Sequence, residues 1–207
     1  MCQERLQGEY GRLLREASAH FEGKSDVYQA LLDLTQRLDE EGISYAVIGD
    51  MALGRHGYVR MTEGVDVLMT AEGLAAFHAR CLGKEYVLAF AGASKTFRDT
   101  ETQVRIEIIT TGEYPGDGKP KSVVFPDPIE ASVEVEGVRV VTLDKLIELK
   151  LASGMSAPHR LRDLADVQDL INILSLPAEF ADKLNESVRS EYRRLWQSVQ
   201  DTQSQAD

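Results

Sequence analysis

YAVIGDMALGRHGYVRMTEGVDVLM, residues 45–69, is the stretch of this sequence that decides its fold. An apolar run ending at Ile48 predicts a β-strand, and Gly49 begins a short stretch of helical character. A second strand-like run starts at Gly64 and carries one acid, Asp66, among apolar neighbours. A carboxylate inside an apolar strand must be desolvated, paired or bound to a cation, because an isolated buried charge is costly. The stretch therefore predicts strand, helix and strand, with Asp66 as the first candidate functional residue.

The composition is that of an ordinary soluble globular protein. The 207 residues are 43% hydrophobic and 28% charged, which suits one domain with a proper core or one domain with a helical appendage. The two cysteines, Cys2 and Cys81, have neither metal-binding spacing nor a disulfide framework, which fits a reducing cytosol. The N-terminus is polar, and no stretch approaches the length of a membrane span. We therefore expect a soluble, cytoplasmic protein with no membrane partner.

The net charge of −11 bears on the choice of partners. A surface of this sign repels polyanions on average, which argues against loose, sequence-independent binding of nucleic acid. A local basic cleft is compatible with the count, and its candidate residues are Arg160, Arg162, Arg193 and Arg194.

The hydrophobic pattern divides the chain into four segments. It predicts N-terminal amphipathic helices for residues 1–42, an α/β core for 43–141, C-terminal helices for 142–200 and a disordered tail for 201–207. Residues 111–129 are rich in Pro and Gly and should form a long surface loop, which is either a connector or a functional, mobile segment. Alternating elements in the core favour an α/β or α+β sheet over a sandwich. The predicted strands are 43–48, 64–69, 86–89, 103–109, 131–135 and 137–141, and the later helices are 50–56, 72–82, 142–153, 158–174 and 186–198.

The turn and second strand resemble the signature of the nucleotidyltransferase superfamily. Members of this group have Gly-Gly or Gly-Ser after the first strand, then two acids separated by one residue on the second. Here Gly49-Asp50 occupies the glycine position, Gly64 the position of the first acid and Asp66 that of the second. The resemblance extends over residues 43–174 and is nearest to an uncharacterised bacterial branch, distantly similar to abortive-infection toxins and minimal nucleotidyltransferases.

This resemblance implies a fold and a reaction. The fold is a mixed β-sheet in which strands 43–48, 64–69 and 103–109 are neighbours, with flanking helices and a C-terminal helical segment that closes the cleft. The reaction is transfer of a nucleoside monophosphate from an NTP to a hydroxyl of RNA, a protein or a small molecule, with Mg²⁺ or Mn²⁺ as the cofactor. Such chemistry needs carboxylates close together to hold the cation.

The resemblance implies which acids would do so. Strand parity puts Gly64 and Asp66 on one face, and Glu107 in the run VRIEII is the candidate acid from a neighbouring strand. We expect Asp66 and Glu107 to be catalytic and to bind the metal, with Glu63 as a third ligand only if the strand starts late. The alternative is that Asp66 is ion-paired with Arg55, Arg60 or Arg105, and that Glu107 lies on a solvated edge beside Arg105.

The glycine turn carries the expected nucleotide-binding residues. In the family the glycine lets the backbone approach the triphosphate, and N–H groups of the next helix bind it. Asp50 would add negative charge at that place, or else cap the helix and occupy the same N–H groups. His56, in GRHGY, is expected to be structural.

A second stretch similar to the family runs from Thr142 to Ile171. Lys150 falls on an otherwise apolar helical stripe, which indicates either a phosphate partner at the cleft or a lysine that snorkels to solvent. The following run Arg160-Leu161-Arg162-Asp163 supplies Arg162 as a further nucleotide-binding candidate. Asp166 is expected on a charged, solvated face.

Two kinds of function fit these observations. One is a metal-dependent nucleotidyltransferase whose activity is weak or lost because the first acid is Gly64; its partner would be an NTP. The other is a non-catalytic module of the same fold that binds a nucleotide or a protein, such as a toxin–antitoxin component. A weaker option is a scaffold that forms homo-oligomers through its N-terminal helices.

Overall fold

The structure, a computed structural model, describes residue 19 and residues 23–204. The amphipathic helix predicted for residues 1–22 therefore lies outside the described residues, apart from residue 19. The next predicted helix is present as α1 (Asp26–Glu40), and the side chain of Ser25 caps it by accepting a hydrogen bond from the Tyr28 N–H. Its apolar stripe is buried in the core, as the sequence predicted: Val27, Ala30, Leu31, Leu34 and Leu38.

The centre of the fold is a seven-stranded mixed sheet with the strand order β3-β4-β5-β2-β1-β7-β6. β2 is antiparallel to β1 and parallel to β5, so the three strands predicted to be neighbours are adjacent. All four residues of β1 are buried, which explains its uninterrupted apolar sequence. The strands are β1 (Tyr45–Ile48), β2 (Gly64–Met69), β3 (Tyr86–Leu88), β4 (Thr96–Asp99), β5 (Arg105–Thr110), β6 (Ser132–Val135) and β7 (Val138–Val141).

The sequence did not predict β4. This strand has four residues, and its sequence, TFRD, has only one large apolar side chain. The packing of Phe97 holds this strand in place. Its side chain is fully buried, and its ring contacts that of Phe77 edge-on, with 5.0 Å between the ring centroids.

Six helices are described in residues 23–204, and the last three form the C-terminal segment. In addition to α1 these are α2 (Gly49–Arg55), α3 (Ala71–Arg80), α4 (Leu143–Ser156), α5 (Leu161–Ile173) and α6 (Glu186–Ser204), with 3₁₀ turns at Pro158–Arg160 and Ala178–Lys183. The side chain of Leu164 in α5 would overlap a Cβ at Gly154 in α4, so a glycine lets these two helices pack closely.

The last helix ends later than the sequence predicted. Helix α6 continues to Ser204, so residues 201–204 are helical rather than part of a disordered tail. Side-chain bonds support the extra turn: Gln203 Nε2 donates to Asn172 Oδ1 of α5 at 2.8 Å, and Gln197 Nε2 donates to Asp201 Oδ1 at 2.8 Å. No helix within the described part of the chain is both long enough and apolar enough to cross a membrane.

Candidate functional site

Asp66 and Glu107 lie side by side on β2 and β5. They are register partners in a parallel pair, so both side chains project from the same face of the sheet. Neighbouring strands are about 4.8 Å apart, a separation at which two carboxylates can share one cation. The two acids that sequence reasoning placed together are therefore together.

The start of α2 packs directly against the Asp66 carboxylate. Gly49 has φ +67°, and a Cβ built on it would overlap Asp66 Oδ2 and lie 3.2 Å from Asp66 Cγ. Any other residue at Gly49 would be strained in its backbone and would displace the acid. Gly49 thus makes room for Asp66 at the junction of β1 and α2.

The Asp66 carboxylate has no hydrogen-bond or ion-pair partner among the described residues. Burial, together with the negative charges of Glu107 and Asp50, raises the pKa of Asp66 to about 6, against smaller opposing effects of Arg105 and Lys150. A shifted carboxyl group in a pocket is typical of functional sites. The alternative interpretation, an Asp66 paired with an arginine, is wrong.

Each of the arginines that could have paired with Asp66 has another partner. Arg105 of β5 pairs with Glu107 on the same strand, and Arg55 of α2 pairs with Glu136 in the turn between β6 and β7. Arg60 pairs with Asp50, and its Nη2 also lies 3.1 Å from Asp166 Oδ2. Their engagement leaves the Asp66 charge uncompensated by contact.

The position of the first family acid is closed. A Cβ on Gly64 would lie 2.7 Å from the backbone oxygen of Arg105, so an acid here would require β2 and β5 to shift. Glu63 is exposed, just before β2. No group of three His, Cys, Asp or Glu residues in the described ranges is arranged to hold a metal ion. The predicted three-residue set of Asp66, Glu107 and Glu63 is therefore not assembled, because Glu63 precedes the strand and has the wrong parity.

Asp50 does not cap α2, contrary to one prediction. The helix begins at Gly49 with Ile48 at the cap position, and no side chain bonds to its first N–H groups. Asp50 lies within the first turn, and Arg60 holds its carboxylate. His56, at the other end of α2, lies with Nε2 2.7 Å from the carbonyl oxygen of Val141, a contact of the structural kind that was expected.

Lys150 is buried between two carboxylates. Its Nζ donates to Asp163 Oδ1 at 3.1 Å and to Asp166 Oδ2 at 2.7 Å, and only 7%, 5% and 2% of these three residues is exposed. The snorkelling interpretation of Lys150 and the solvated face predicted for Asp166 are both wrong. The physical reason is that α4 and α5 pack closely and place the acids of one helix over the lysine of the other.

A pocket opens above Asp66, between the sheet and α4. Its volume is about 90 Å³. Its lining includes both apolar and polar residues, which are Ile48, Gly49, Asp66, Ile109, Pro115, Gly116, Phe125, Leu146, Leu149, Lys150, Ser153, Arg160 and Asp163.

Arg160, rather than the predicted Arg162, is the arginine of this pocket. Arg160 Nε donates to Asp163 Oδ2 at 2.8 Å and to Ser153 Oγ at 3.2 Å, which fixes the plane of the guanidinium. Its Nη1 and Nη2 make no hydrogen bond with the described residues. Arg162 is exposed and does not line the pocket. The spacing of Arg160 and Asp163, one helical turn, was the available signal for this pair.

The fold is that of nucleotidyltransferases, as the sequence predicted. The chain is similar to a crystal structure of ANT(2″)-Ia in complex with adenylyl-2″-tobramycin: 16% identity, a TM-score of 0.51, and coverage of 80% of this chain and 97% of the other. For a solution structure of the antibiotic-resistance factor ANT(2″)-Ia, the identity is 13%, the TM-score 0.50 and the coverage 85% and 96%. For a protein assigned as a nucleotidyltransferase from Thermotoga maritima, the values are 17%, 0.48, 68% and 91%. No family model and no curated protein sequence matches the chain.

The shifted Asp66 predicts an unusual pH dependence of stability. The folded-state pKa is raised to about 6 from 3.8, so the protonated carboxyl stabilises the fold below about pH 4, and this contribution is lost as the pH rises through 6. Asp66→Asn should therefore raise the free energy of unfolding by about 2–3 kcal/mol at pH 7 and have little effect at pH 4. Urea denaturation at both pH values tests this, with Glu130→Gln, at an exposed acid outside the pocket, as the control. An equal effect of Asp66→Asn at pH 4 and pH 7 would contradict the raised pKa.

Proposed function

We propose that this protein transfers a nucleoside monophosphate from an NTP to a hydroxyl group, with release of pyrophosphate and with a divalent cation held at Asp66 and Glu107. One observation carries the proposal: a partly buried carboxylate without a contact partner, beside a second acid in register, faces a pocket in a nucleotidyltransferase fold. A partly buried carboxylate without a partner favours the binding of a cation, because the cation would stabilise the ionised form of the carboxylate.

The donor set fits one Mg²⁺ or Mn²⁺ that shares its coordination with nucleotide phosphates. Mg²⁺ is commonly bound by one or two carboxylates together with substrate phosphates. Within the part of the chain that the structure describes, Asp66 has no competing partner and Glu107 is held only by Arg105. The side chains of Arg105 and Glu107 are 52% and 39% exposed, so their pair is weak enough to be exchanged. When bound, the cation would neutralise charge that develops on the phosphates.

The rest of the pocket supports a role in holding phosphates. Arg160 offers two guanidinium nitrogens, on a group whose orientation Asp163 and Ser153 already fix. Lys150 contributes positive charge from the pocket wall, although both of its bonds go to protein carboxylates. Gly49 lines the pocket beside Asp66, where a side chain would overlap the carboxylate, and Asp50 opposes phosphate through its charge. We therefore propose weak nucleotide affinity.

The acceptor is proposed only as a hydroxyl of RNA, a protein or a small molecule. The structure of ANT(2″)-Ia with adenylyl-2″-tobramycin contains a nucleotide joined to an acceptor, which supports this class of reaction for the fold. The net charge of −11 favours acceptors that are not extended polyanions.

Calorimetry with each NTP tests the cation site. We expect weak binding that requires Mg²⁺ or Mn²⁺, and Asp66→Asn should weaken it by about tenfold or more, because a charge-assisted contact is lost. Glu63→Gln, an equivalent change at an exposed acid outside the pocket, should have no effect. Tight binding that persists in EDTA would contradict the proposal.

Incubation with labelled NTPs, Mg²⁺ or Mn²⁺, and total RNA separates an enzyme from a binding module. Transfer of label to RNA or to the protein itself supports catalysis. Cation-dependent binding without transfer to any acceptor supports the non-catalytic alternative, which the closed position at Gly64 favours.

The two neighbouring arginines form a matched pair for the phosphate contact. Arg160→Ala should weaken NTP binding by about tenfold, since a hydrogen bond to a charged group contributes about 1.5–3 kcal/mol. Arg162→Ala removes the same charge from the exposed side of α5 and should change the Kd less than twofold. Equal effects of the two substitutions would show that Arg160 acts only through long-range charge.

A further inference from the structure

The loop between β5 and β6 lies across the pocket. Two hydrogen bonds join its ends: Gly112 N–H donates to the Phe125 carbonyl at 2.8 Å, and Phe125 N–H donates to the Glu113 carbonyl at 2.9 Å. Residues 113–125 thus form a closed loop of the Ω type. Pro115, Gly116 and Phe125 of this loop line the pocket together with Asp66.

One lysine fastens the loop to the end of α4. Lys121 Nζ donates to Ser156 Oγ at 2.9 Å, to the Pro115 carbonyl at 2.5 Å and to Asp117 Oδ1 at 2.5 Å. The first bond attaches the loop to the helix, and the other two hold the loop in its folded shape. The neighbouring Lys119 is exposed, and its side chain bonds to no described residue.

Gly116 of the loop packs directly against the same helix, α4. A Cβ on Gly116 would overlap Ser156 Oγ and lie 2.7 Å from the Ser153 carbonyl oxygen. Gly118, two residues later, has nothing within 4 Å of its Cβ position, although its φ of +70° is close to the +79° of Gly116. Of these two glycines, only Gly116 must therefore lack a side chain in order to contact α4.

With the loop in this place the pocket is too small for a nucleotide. Its volume is about 90 Å³, whereas pockets for small ligands have roughly 300–1,000 Å³. The tip of the loop, residues 116–120, is exposed, whereas Pro115 and Val123 on either side of the tip are buried. A tip with few buried apolar contacts and exposed hydrogen bonds opens at low cost.

We propose that residues 113–125 are a lid that closes the Asp66 pocket. The hydrogen bonds of Lys121 and the packing of Gly116 against α4 hold this lid closed. The nature of the ligand admitted, a nucleoside triphosphate, rests on the proposed function; the lid itself rests on the geometry of the loop. Opening of the lid then limits how fast the ligand reaches Asp66.

Hydrogen exchange of the full chain, without nucleotide, tests the lid alone. Lys121→Met should speed exchange of the amides in residues 113–125 by about tenfold, and Lys119→Met should leave it unchanged. Gly116→Ala should act like Lys121→Met, whereas Gly118→Ala, with similar backbone strain but no contact, should not. The proposal would be overturned if neither Lys121→Met nor Gly116→Ala altered the exchange rate. It would also be overturned if the controls Lys119→Met and Gly118→Ala sped exchange as much as Lys121→Met and Gly116→Ala.

Stopped-flow mixing with a fluorescent ATP analogue and Mn²⁺ tests the effect on access. The association rate should rise in Lys121→Met and Gly116→Ala and stay the same in the two control variants. An unchanged association rate in lids that exchange faster would overturn the role of the lid as a barrier. Failure of every variant to bind nucleotide, together with faster exchange in Lys121→Met and Gly116→Ala, would count against the proposed nucleotide and leave the lid supported.

Discussion

A single constraint organises this molecule: the Asp66 carboxylate is kept in a partly buried place where no residue of the described chain pairs with it. Gly49 must lack a side chain for the carboxylate to fit at the junction of β1 and α2. The in-register Glu107 brings a second negative charge against it. Proteins rarely keep an uncompensated carboxylate in such a position, because desolvation disfavours its ionised form. A bound cation would offset this cost, which is why we propose a cation site at Asp66.

Lys150 and Arg60 belong to a network of ion pairs that joins three helices around the cleft. Lys150 of α4 binds Asp163 and Asp166 of α5, and Arg60 links Asp166 to Asp50 of α2. Buried pairs of this kind contribute little net stability, yet removal of one partner is costly because the other is left buried and charged. The network therefore fixes α4 and α5 relative to the start of α2. Arg160 remains as the pocket cation whose Nη1 and Nη2 make no hydrogen bond with the described residues.

Local pattern in the sequence singled out Asp66 and Glu107, because each is an acid in an otherwise apolar run. The resemblance to the nucleotidyltransferase signature, rather than the pattern, implied that their two strands are adjacent. Contacts that cross between elements left no such signal. The partners of Lys150 lie on another helix, the choice of Arg160 over Arg162 depends on a 3₁₀ turn, and the closure of Gly64 depends on the backbone of β5. These are the features that the sequence interpretation missed.

The protonation of Asp66 is the most direct test of the account, because the proposed cation acts on that group. The carboxyl ¹³C shift of Asp66, followed by NMR as the pH is varied, should report a pKa of about 6 in the free protein. Addition of Mg²⁺ with a non-hydrolysable NTP analogue should lower that pKa below its ordinary value, since a cation stabilises the carboxylate. An Asp66 that titrates near pH 4 in the free protein, or whose pKa is unchanged by Mg²⁺ and nucleotide, would contradict the central claim.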